Sequence, residues 1–464
     1  MAEFCPSIRK IKLRIIIVTT LSSNSSELSV LTGQRLSEAD YQTNFADIHT
    51  PLDARSAIVE ADRCYNCYGA PCQTACPTGI DVASFIRMIS QNNAVGAAGK
   101  ILSENIMGGT CARACPVETL CEDACVRHAE GDQPIKIGLL QRFATDRASE
   151  LGAQFFTREA ATGCTVAVVG AGPAGLSCAH RLATLGHEVV IYEALEKSGG
   201  LNEYGLAAYK MTEDYAQQEV KDILSIGGIK VKHGIRVGQD VSFAELQTNY
   251  DAVFMGVGLG ANKDINLDGE EAPGVINAVD YIHQLRQSND VGQLPVGQNV
   301  VVIGGGMTAI DIAIQTKRLG APNVTMAYRR GKQHMNASLE EQEFALSEGV
   351  HIAHWAQPIS LIVEQGAITG VEFKMANNES GQTYITPADM LFKAIGQNLA
   401  AINMGTIEFV KSHGKYEVDQ DLRTSQPGIW AGGDCVAGND GLAVSAVQDG
   451  KLAALSIHHT LTQS

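Results

Sequence analysis

The chain has 464 residues, which is too long for one ordinary hydrophobic core and predicts two or three domains. Its 45% hydrophobic residues and 47 glycines are typical of a globular α/β protein with many tight turns. The net charge of −16 argues against a nucleic-acid partner, because binding to nucleic acid calls for a basic surface.

The first 45 residues carry no domain signal. The apolar run Ile15–Val18 is far shorter than the roughly 20 residues that a spanning helix needs, and no signal-peptide cleavage pattern follows it. We therefore predict a cytoplasmic protein with no membrane segment, whose residues 1–45 form a disordered tail.

Eight of the twelve cysteines lie between Cys64 and Cys125, in two dense runs. The first reads C-x2-C-x4-C-x3-C-P and the second C-x3-C-P-x4-C-x3-C. Disulfides are not expected in a long cytoplasmic chain. Structural zinc sites usually pair two C-x2-C knuckles, and only one is present here. Three closely spaced cysteines and a fourth before proline are typical of ferredoxins, so the runs favour two [4Fe–4S] clusters, with zinc as the alternative.

Apolar residues recur at helical spacing between the cysteine runs, in residues 82–106, and again in residues 135–148. We therefore predict a small helical domain over residues 46–160 that holds both clusters.

A dinucleotide-binding unit begins at Thr165. The strand TVAVV leads into a loop whose Gly170, Gly172 and Gly175 permit a tight turn, the approach of a pyrophosphate and close helix packing. The next strand ends at Glu193, which can accept a hydrogen bond from a ribose hydroxyl. The complete strand–loop–helix–strand–acid unit predicts a nucleotide cofactor, and we add Gly200 and Leu201 to the predicted cofactor-binding residues.

A second unit begins at Asn299, with Gly304, Gly306 and Ala309 in its loop. Its second strand leads into Arg329 and Arg330 instead of an acid. Arginines there can hold a 2′-phosphate, which would favour NADP, or they can lie in solvent.

Near the C-terminus, Gly433 and Asp434 follow a short predicted strand, and a helix starts around Leu442. Asp434 would lie beside a ribityl chain, and the helix would direct its positive end at the flavin ring. We predict an α/β protein in which two Rossmann-like domains follow the helical iron–sulfur domain. The FAD-binding domain spans 161–285 and 397–464, and the NAD(P)H-binding domain, 286–396, is inserted in it.

The residues from about Pro51 onward resemble the family of glutamate synthase small chains and the N-terminal half of dihydropyrimidine dehydrogenase. The stretch PIKIGLLQRFATD contains Gln141, and a glutamine at this place is a cluster ligand in the pyrimidine enzymes. The resemblance implies a first cluster on Cys64, Cys67, Cys72 and Cys125. It implies a second cluster on Cys76, Cys115, Cys121 and Gln141, with Cys111 as a bystander.

The chain departs from the family at Met307, where an acid is frequent, and at Pro322, where NADP-using pyrimidine enzymes carry an arginine. The second departure favours NADH. The resemblance implies an electron-input subunit in which NADH, FAD and two [4Fe–4S] clusters serve a PreA-type partner. That partner would hold FMN and further clusters and reduce uracil or thymine reversibly, so no catalytic residue is assigned here. The alternatives are a glutamate synthase small chain that uses NADPH and a zinc- and nucleotide-binding interaction module.

Overall fold

The computed structural model describes residues 35–377 and 381–463, so most of the predicted tail lies outside the described residues. Residues 35–45, however, are folded. Ser37 and Asp40 form a capping box at the start of helix α1 (Glu38–Asn44). Tyr41 is buried, and the Asn44 side chain donates a hydrogen bond to the Arg318 carbonyl at 2.8 Å. The predicted disordered tail is therefore wrong for residues 35–45, because these contacts offset the entropy cost of ordering the segment.

Helices lie within and around the two cysteine runs. They are α2 (Ala54–Asp62), α3 (Pro71–Thr74), α4 (Val82–Ser90), α5 (Ala94–Glu104), α6 (Gly108–Ala114), α7 (Val126–Ala129) and α8 (Ile137–Glu150). Of these, α4, α5 and α8 fall in the two stretches for which the apolar spacing predicts helix. Asp53, Asp81 and Asn93 cap α2, α4 and α5 with side-chain oxygens. Phe85 and Ile101 are completely buried in the core that these helices share.

The first parallel sheet has the strand order β17-β4-β1-β2-β3. Its strands are β1 (Thr165–Val169), β2 (Glu188–Tyr192), β3 (Ile229–Lys232), β4 (Ala252–Met255) and β17 (Ile429–Ala431). The accompanying helices are α9 (Pro173–Thr184), α10 (Leu201–Tyr204), α11 (Tyr215–Leu224), α12 (Phe243–Asn249) and α16 (Ala443–Thr462). Strand β17 returns from the far end of the sequence to pair with β4, which completes the sheet with a C-terminal segment.

The second parallel sheet has the order β6-β13-β7-β8-β9. Its strands are β6 (Val275–Asn277), β7 (Asn299–Gly304), β8 (Asn323–Tyr328), β9 (His351–His354) and β13 (Met390–Ala394). Helices α13 (Ala278–Gln287), α14 (Met307–Arg318) and α15 (Leu339–Ser347) accompany it, and an antiparallel sheet is formed by β10 (Ala356–Glu364), β11 (Ala367–Met375) and β12 (Thr383–Pro387). The insertion of one Rossmann-like unit in another is thus confirmed.

Short ladders mark where the chain passes between the two sheets. Strand β5 (Ala261–Asn262) pairs with β14 (Gln397–Asn398), and β15 (Lys411–Ser412) pairs with β16 (Lys415–Tyr416). We predicted that the inserted domain begins at residue 286, whereas β6 pairs with β13 of the second sheet. The second sheet therefore takes in residues from 275 on. Among the described residues, no helix is both long and apolar enough to cross a lipid bilayer.

Candidate redox cofactor sites

The first glycine loop, between β1 and α9, requires glycine where its backbone lies against other backbone atoms. Gly170 has a φ of +97°, and a Cβ there would lie 2.5 Å from the Gly256 carbonyl oxygen. A Cβ on Gly175 would overlap the Gly170 carbonyl, and a Cβ on Gly200 would lie 2.8 Å from Gly172 Cα. No side chain caps α9 at Gly172, so the first N–H groups of this helix can serve an anionic ligand such as a pyrophosphate.

Glu193 fixes this loop from the end of β2. Its carboxylate accepts hydrogen bonds from the Ala171 N–H at 2.7 Å and from the Leu195 N–H at 2.8 Å, and the side chain is buried. The predicted ribose acceptor therefore also holds the glycine loop in place. Leu201, the first residue of α10, is partly exposed and follows Gly200 at the edge of the same loop.

The C-terminal segment brings a second set of groups to this end of the sheet. Gly433 and Asp434 lie in a short 3-10 helix after β17, and burial raises the pKa of Asp434. The Gly433 N–H donates to Asp449 of α16 at 2.8 Å. No side chain caps α16 at Leu442, so the first N–H groups of this helix can serve a ligand; its predicted position at the flavin ring stays a prediction.

The second glycine loop lies between β7 and α14. A Cβ on Gly304 would overlap the Ala394 carbonyl of β13, whereas a Cβ on Gly306 would meet no atom within 4 Å. Ala309 is completely buried and packs the helix against the sheet. Arg329 and Arg330 follow β8, are exposed, and form no ion pair within the described part of the chain. The loop therefore combines a close turn, an open approach and two available cations.

Two cavities divide the cysteines of the helical domain between them. Cavity one is lined by Cys64, Cys67, Cys72 and Cys125 together with apolar side chains of α4 and α8. Cavity two is lined by Cys76, Cys111, Cys115, Cys121 and Gln141 together with Asn105 and Val444. The resemblance implied the same division of the ligands, except that Cys111 also lines cavity two.

The comparisons with known proteins agree with this architecture. Residues 41–153 match the family described as dihydropyrimidine dehydrogenase domain II, 4Fe-4S cluster, and residues 164–450 match the pyridine nucleotide-disulphide oxidoreductase family. The NAD-dependent dihydropyrimidine dehydrogenase subunit PreT of Salmonella typhimurium is 35% identical over 91% of this chain and 99% of its own length. The glutamate synthase [NADPH] small chain of Escherichia coli is 32% identical over 90% of this chain and 94% of its own. This chain belongs to their family.

A solved structure supports the fold of the two-sheet region. FprA of Mycobacterium tuberculosis, in complex with NADPH, superposes with a TM-score of 0.55 at 18% identity, over 65% of this chain and 85% of its own. Family membership makes the chain an oxidoreductase with iron–sulfur, flavin and nicotinamide cofactors, and the family resemblance noted from the sequence is confirmed.

The cysteines of both cavities fit an iron–sulfur group. Burial raises the pKa of the Cys72 thiol to about 11 and also raises that of Cys121. A hydrogen bond with Cys111, and then burial, raise the pKa of Cys115. Such thiols become thiolate ligands only where bound cations offset their charge. Within the described residues, no group of three or more His, Cys, Asp or Glu side chains is arranged to hold a single metal ion.

Three residues that support these sites were missed by the sequence reasoning: Thr78, Asn105 and Asp449. Thr78 Oγ1 lies 3.3 Å from Cys76 Sγ, Asn105 lines cavity two, and Asp449 holds Gly433. The signal for Asp449 is an acid inside an otherwise apolar helix sequence, AVSAVQDGKLAAL. Asn105 and Thr78 carry no comparable signal, because short polar residues near helix ends are common for capping alone.

Proposed function

We propose that this chain is the electron-input subunit of an NAD-dependent dihydropyrimidine dehydrogenase. It would oxidise NADH through FAD and two [4Fe–4S] clusters and deliver electrons to a PreA-type partner that holds FMN and further clusters. The partner would reduce uracil or thymine reversibly to the 5,6-dihydro form. The PreT subunits at 35% identity support this assignment, because they match this chain along nearly their whole length.

The observation that carries the proposal is the arrangement of Gln141 in cavity two. The side chain is only 7% exposed, and its Nε2 donates to the Gly108 carbonyl at 2.7 Å. No donor among the described residues bonds to its Oε1, which remains available as a ligand. A glutamine ligand at this place is the feature by which the chain resembles the pyrimidine enzymes.

We assign the cluster ligands accordingly. Cavity one would hold its cluster with Cys64, Cys67, Cys72 and Cys125, and cavity two with Cys76, Cys115, Cys121 and Gln141. Because Cys111 also lines cavity two, an all-cysteine set is the competing arrangement.

The two glycine loops would bind the two nucleotides. Gly170, Gly172, Gly175, Glu193, Gly200, Leu201, Gly433 and Asp434 would hold FAD, and Gly304, Gly306, Ala309, Arg329 and Arg330 would hold NADH. When bound, the nicotinamide supplies a hydride, the flavin accepts two electrons, and the clusters carry electrons singly. The chain's own part is to orient these groups. The uncapped backbone N–H groups at the start of α9 and α14 would hold the phosphates, and the start of α16 would favour negative charge on the flavin ring.

We propose NADH over NADPH. The PreT relatives at 35% identity are described as NAD-dependent, which supports this choice. The departure at Pro322 does not bear on it, because Pro322 and Arg329 flank the six-residue strand β8 at opposite ends, roughly 20 Å apart.

The test is uracil reduction by the anaerobically purified chain with and without a PreA-type partner. We expect NADH to drive the formation of dihydrouracil only in the presence of the partner, and NADPH to be the poorer reductant. Pyrimidine reduction by the chain alone would contradict the subunit assignment. Electron delivery only to a glutamate synthase large subunit would instead favour the small-chain alternative, to which the 32% identity of that relative points.

A further inference from the structure

Asn105 has a side-chain donor that the described protein leaves unused. The residue ends α5 and is completely buried. Its Oδ1 accepts a hydrogen bond from the Met107 N–H at 3.0 Å, which fixes the orientation of the amide. Its Nδ2 is buried and has no acceptor among the described residues. Buried donors are rarely left unpaired, because the cost of losing water is then not offset.

The surroundings of Asn105 identify the missing acceptor. Asn105 lines cavity two beside Cys76, Cys111, Cys115 and Cys121. Of the residues that line this cavity, Asn105 alone has a buried side-chain nitrogen without an acceptor in the described part of the chain. An acceptor that occupies the cavity itself would satisfy this donor. In a cavity walled by cysteines, that acceptor is sulfur.

A side chain next to cavity two already contacts a sulfur of one of the assigned ligands. Thr78 is buried, and its Oγ1 lies 3.3 Å from Cys76 Sγ. A thiolate can only accept, so the Thr78 hydroxyl donates once Cys76 is a ligand. In cavity one the corresponding bond comes from the backbone, since the Asn66 N–H lies 3.4 Å from Cys64 Sγ.

We propose that Asn105 Nδ2 donates an N–H···S hydrogen bond to the iron–sulfur group of cavity two and raises its reduction potential. The inference rests on the proposed function, which assigns a cluster to this cavity. Adding one electron increases the negative charge on the sulfurs, so a fixed donor stabilises the reduced form more than the oxidised form. The effect of Asn105 is thus on a reduction equilibrium and is measurable without turnover.

The test is an EPR-monitored redox titration of the anaerobically reconstituted full chain, with Asn105→Leu compared with the wild type. Leu has the same branched shape, with four side-chain heavy atoms, but is bulkier and has no donor. We expect the ratio of reduced to oxidised cluster two, at a fixed potential, to fall about tenfold, which corresponds to a midpoint about 59 mV more negative for a one-electron couple. The signal of cluster one is the internal reference and should keep its midpoint.

Asn93→Ala is the matched control at the other end of the same helix. Asn93 Oδ1 accepts from the Gly96 N–H at 2.9 Å, so this variant weakens α5 without altering the wall of cavity two. Its cluster-two midpoint should equal that of the wild type. Asn105→Asp is avoided, because a new negative charge would lower the potential whether or not Asn105 donates.

Asn105→Ala provides a second variant in case leucine crowds the buried site, and it should shift the midpoint in the same direction. A wild-type midpoint in each Asn105 variant that contains both clusters would overturn the proposal while leaving the proposed function intact. A wild-type chain that contains no iron and no acid-labile sulfide would instead refute the proposed function. The two failures are therefore distinguishable.

Discussion

The two cysteine cavities differ in what encloses them. Cavity one is built within the helical domain: three of its cysteines lie in residues 64–72, and its loop carries Tyr68, whose side chain is fully exposed. Cavity two also contains Val444 of α16, which belongs to the first-sheet domain. The helical domain can therefore form cavity one by itself, whereas cavity two is complete only where the two domains pack together.

Two buried contacts join the domains around cavity two. Glu219 of α11 accepts hydrogen bonds from the N–H and hydroxyl of Thr110 in α6, at 2.9 and 2.5 Å. Lys451 of α16 donates to the Thr78 carbonyl at 3.2 Å and to the Glu104 carbonyl at 3.0 Å. Cavity two thus lies near the end of α16 that we assign to the flavin, and we expect it to receive electrons before cavity one.

The largest expected effect comes from removing one cysteine of either cavity. Cys121→Ala and Cys67→Ala should each remove roughly half of the iron, since each cavity is assigned one of two equal clusters. Delivery of electrons to the partner should fall by more than about 100-fold in both variants. Loss of an outer-shell residue alone costs a metal site up to about 100-fold in affinity or activity, and these cysteines are assigned as direct ligands. NADH should still reduce cluster two in Cys67→Ala, whereas in Cys121→Ala it should reduce cluster one only slowly.

Freeze-quench EPR after mixing with NADH measures both rates. Cys164→Ser is the control, because Cys164 lies outside both cavities. Reduction of cluster one at the wild-type rate in Cys121→Ala would refute the order of transfer that the comparison predicts.

The next-largest expected effect distinguishes the two possible ligand sets of cavity two, one that includes Gln141 and one that includes Cys111. We expect Gln141→Ala to disturb or remove cluster two while FAD and cluster one remain, because the variant loses the Oε1 ligand. Cys111→Ser is the matched variant, because Cys111 lines the same cavity, and it should keep both EPR signals. The reverse result, loss of a cluster in Cys111→Ser alone, would establish the all-cysteine set and remove the feature that favours the pyrimidine assignment.

Cavity one shows what local sequence patterns can predict. Its first three cysteines follow one another at ferredoxin spacing, and the glycine loops of both sheets stand where the motifs predict. The membership of Cys125 and the place of Gln141 followed only from the resemblance, because both depend on how distant helices pack. The three-residue strand β6 gave no periodic signal, which explains why the domain boundary was predicted too late.

Cavity two shows what patterns in one segment cannot predict. Asn105 and Val444 are far apart in the sequence and line the same cavity only because α16 packs against the helical domain, where its Lys451 donates to the Thr78 carbonyl. The folded segment at residues 35–45 was missed for a similar reason, since Tyr41 is stabilised by the core of the second sheet. Tertiary contacts, not local propensity, decided both cases.

A third prediction concerns the pH dependence of the contact at Glu219. Burial raises the pKa of this carboxyl to about 7 from 4.5. Because the folded-state pKa is the higher, the folded protein retains a proton that the unfolded chain releases between these values. Stability is therefore lost as the pH rises from about 4.5 through about 7, by up to about 3 kcal/mol. The corresponding measurement is the midpoint temperature of FAD release at pH 5 and pH 8.

Glu219→Gln removes the titration while retaining the shape of the side chain. We expect the midpoint temperature of the variant, relative to the wild type, to increase as the pH rises. A constant difference between pH 5 and pH 8 would show that Glu219 does not titrate in this range.

The smallest expected effect concerns Lys451. Lys451→Met keeps most of the apolar stem but removes the ammonium group that donates to the Thr78 and Glu104 carbonyls and to the Glu104 carboxylate. The packing of α16 on the helical domain should therefore weaken by about 1–2 kcal/mol. Lys100→Met is the control, since Lys100 is exposed on α5. The EPR signal of cluster two should broaden, because Lys451 holds the Thr78 backbone and the Thr78 side chain bonds to Cys76. The signal of cluster one should not broaden. Equal broadening of both signals would mean that cavity one also depends on the docked domain.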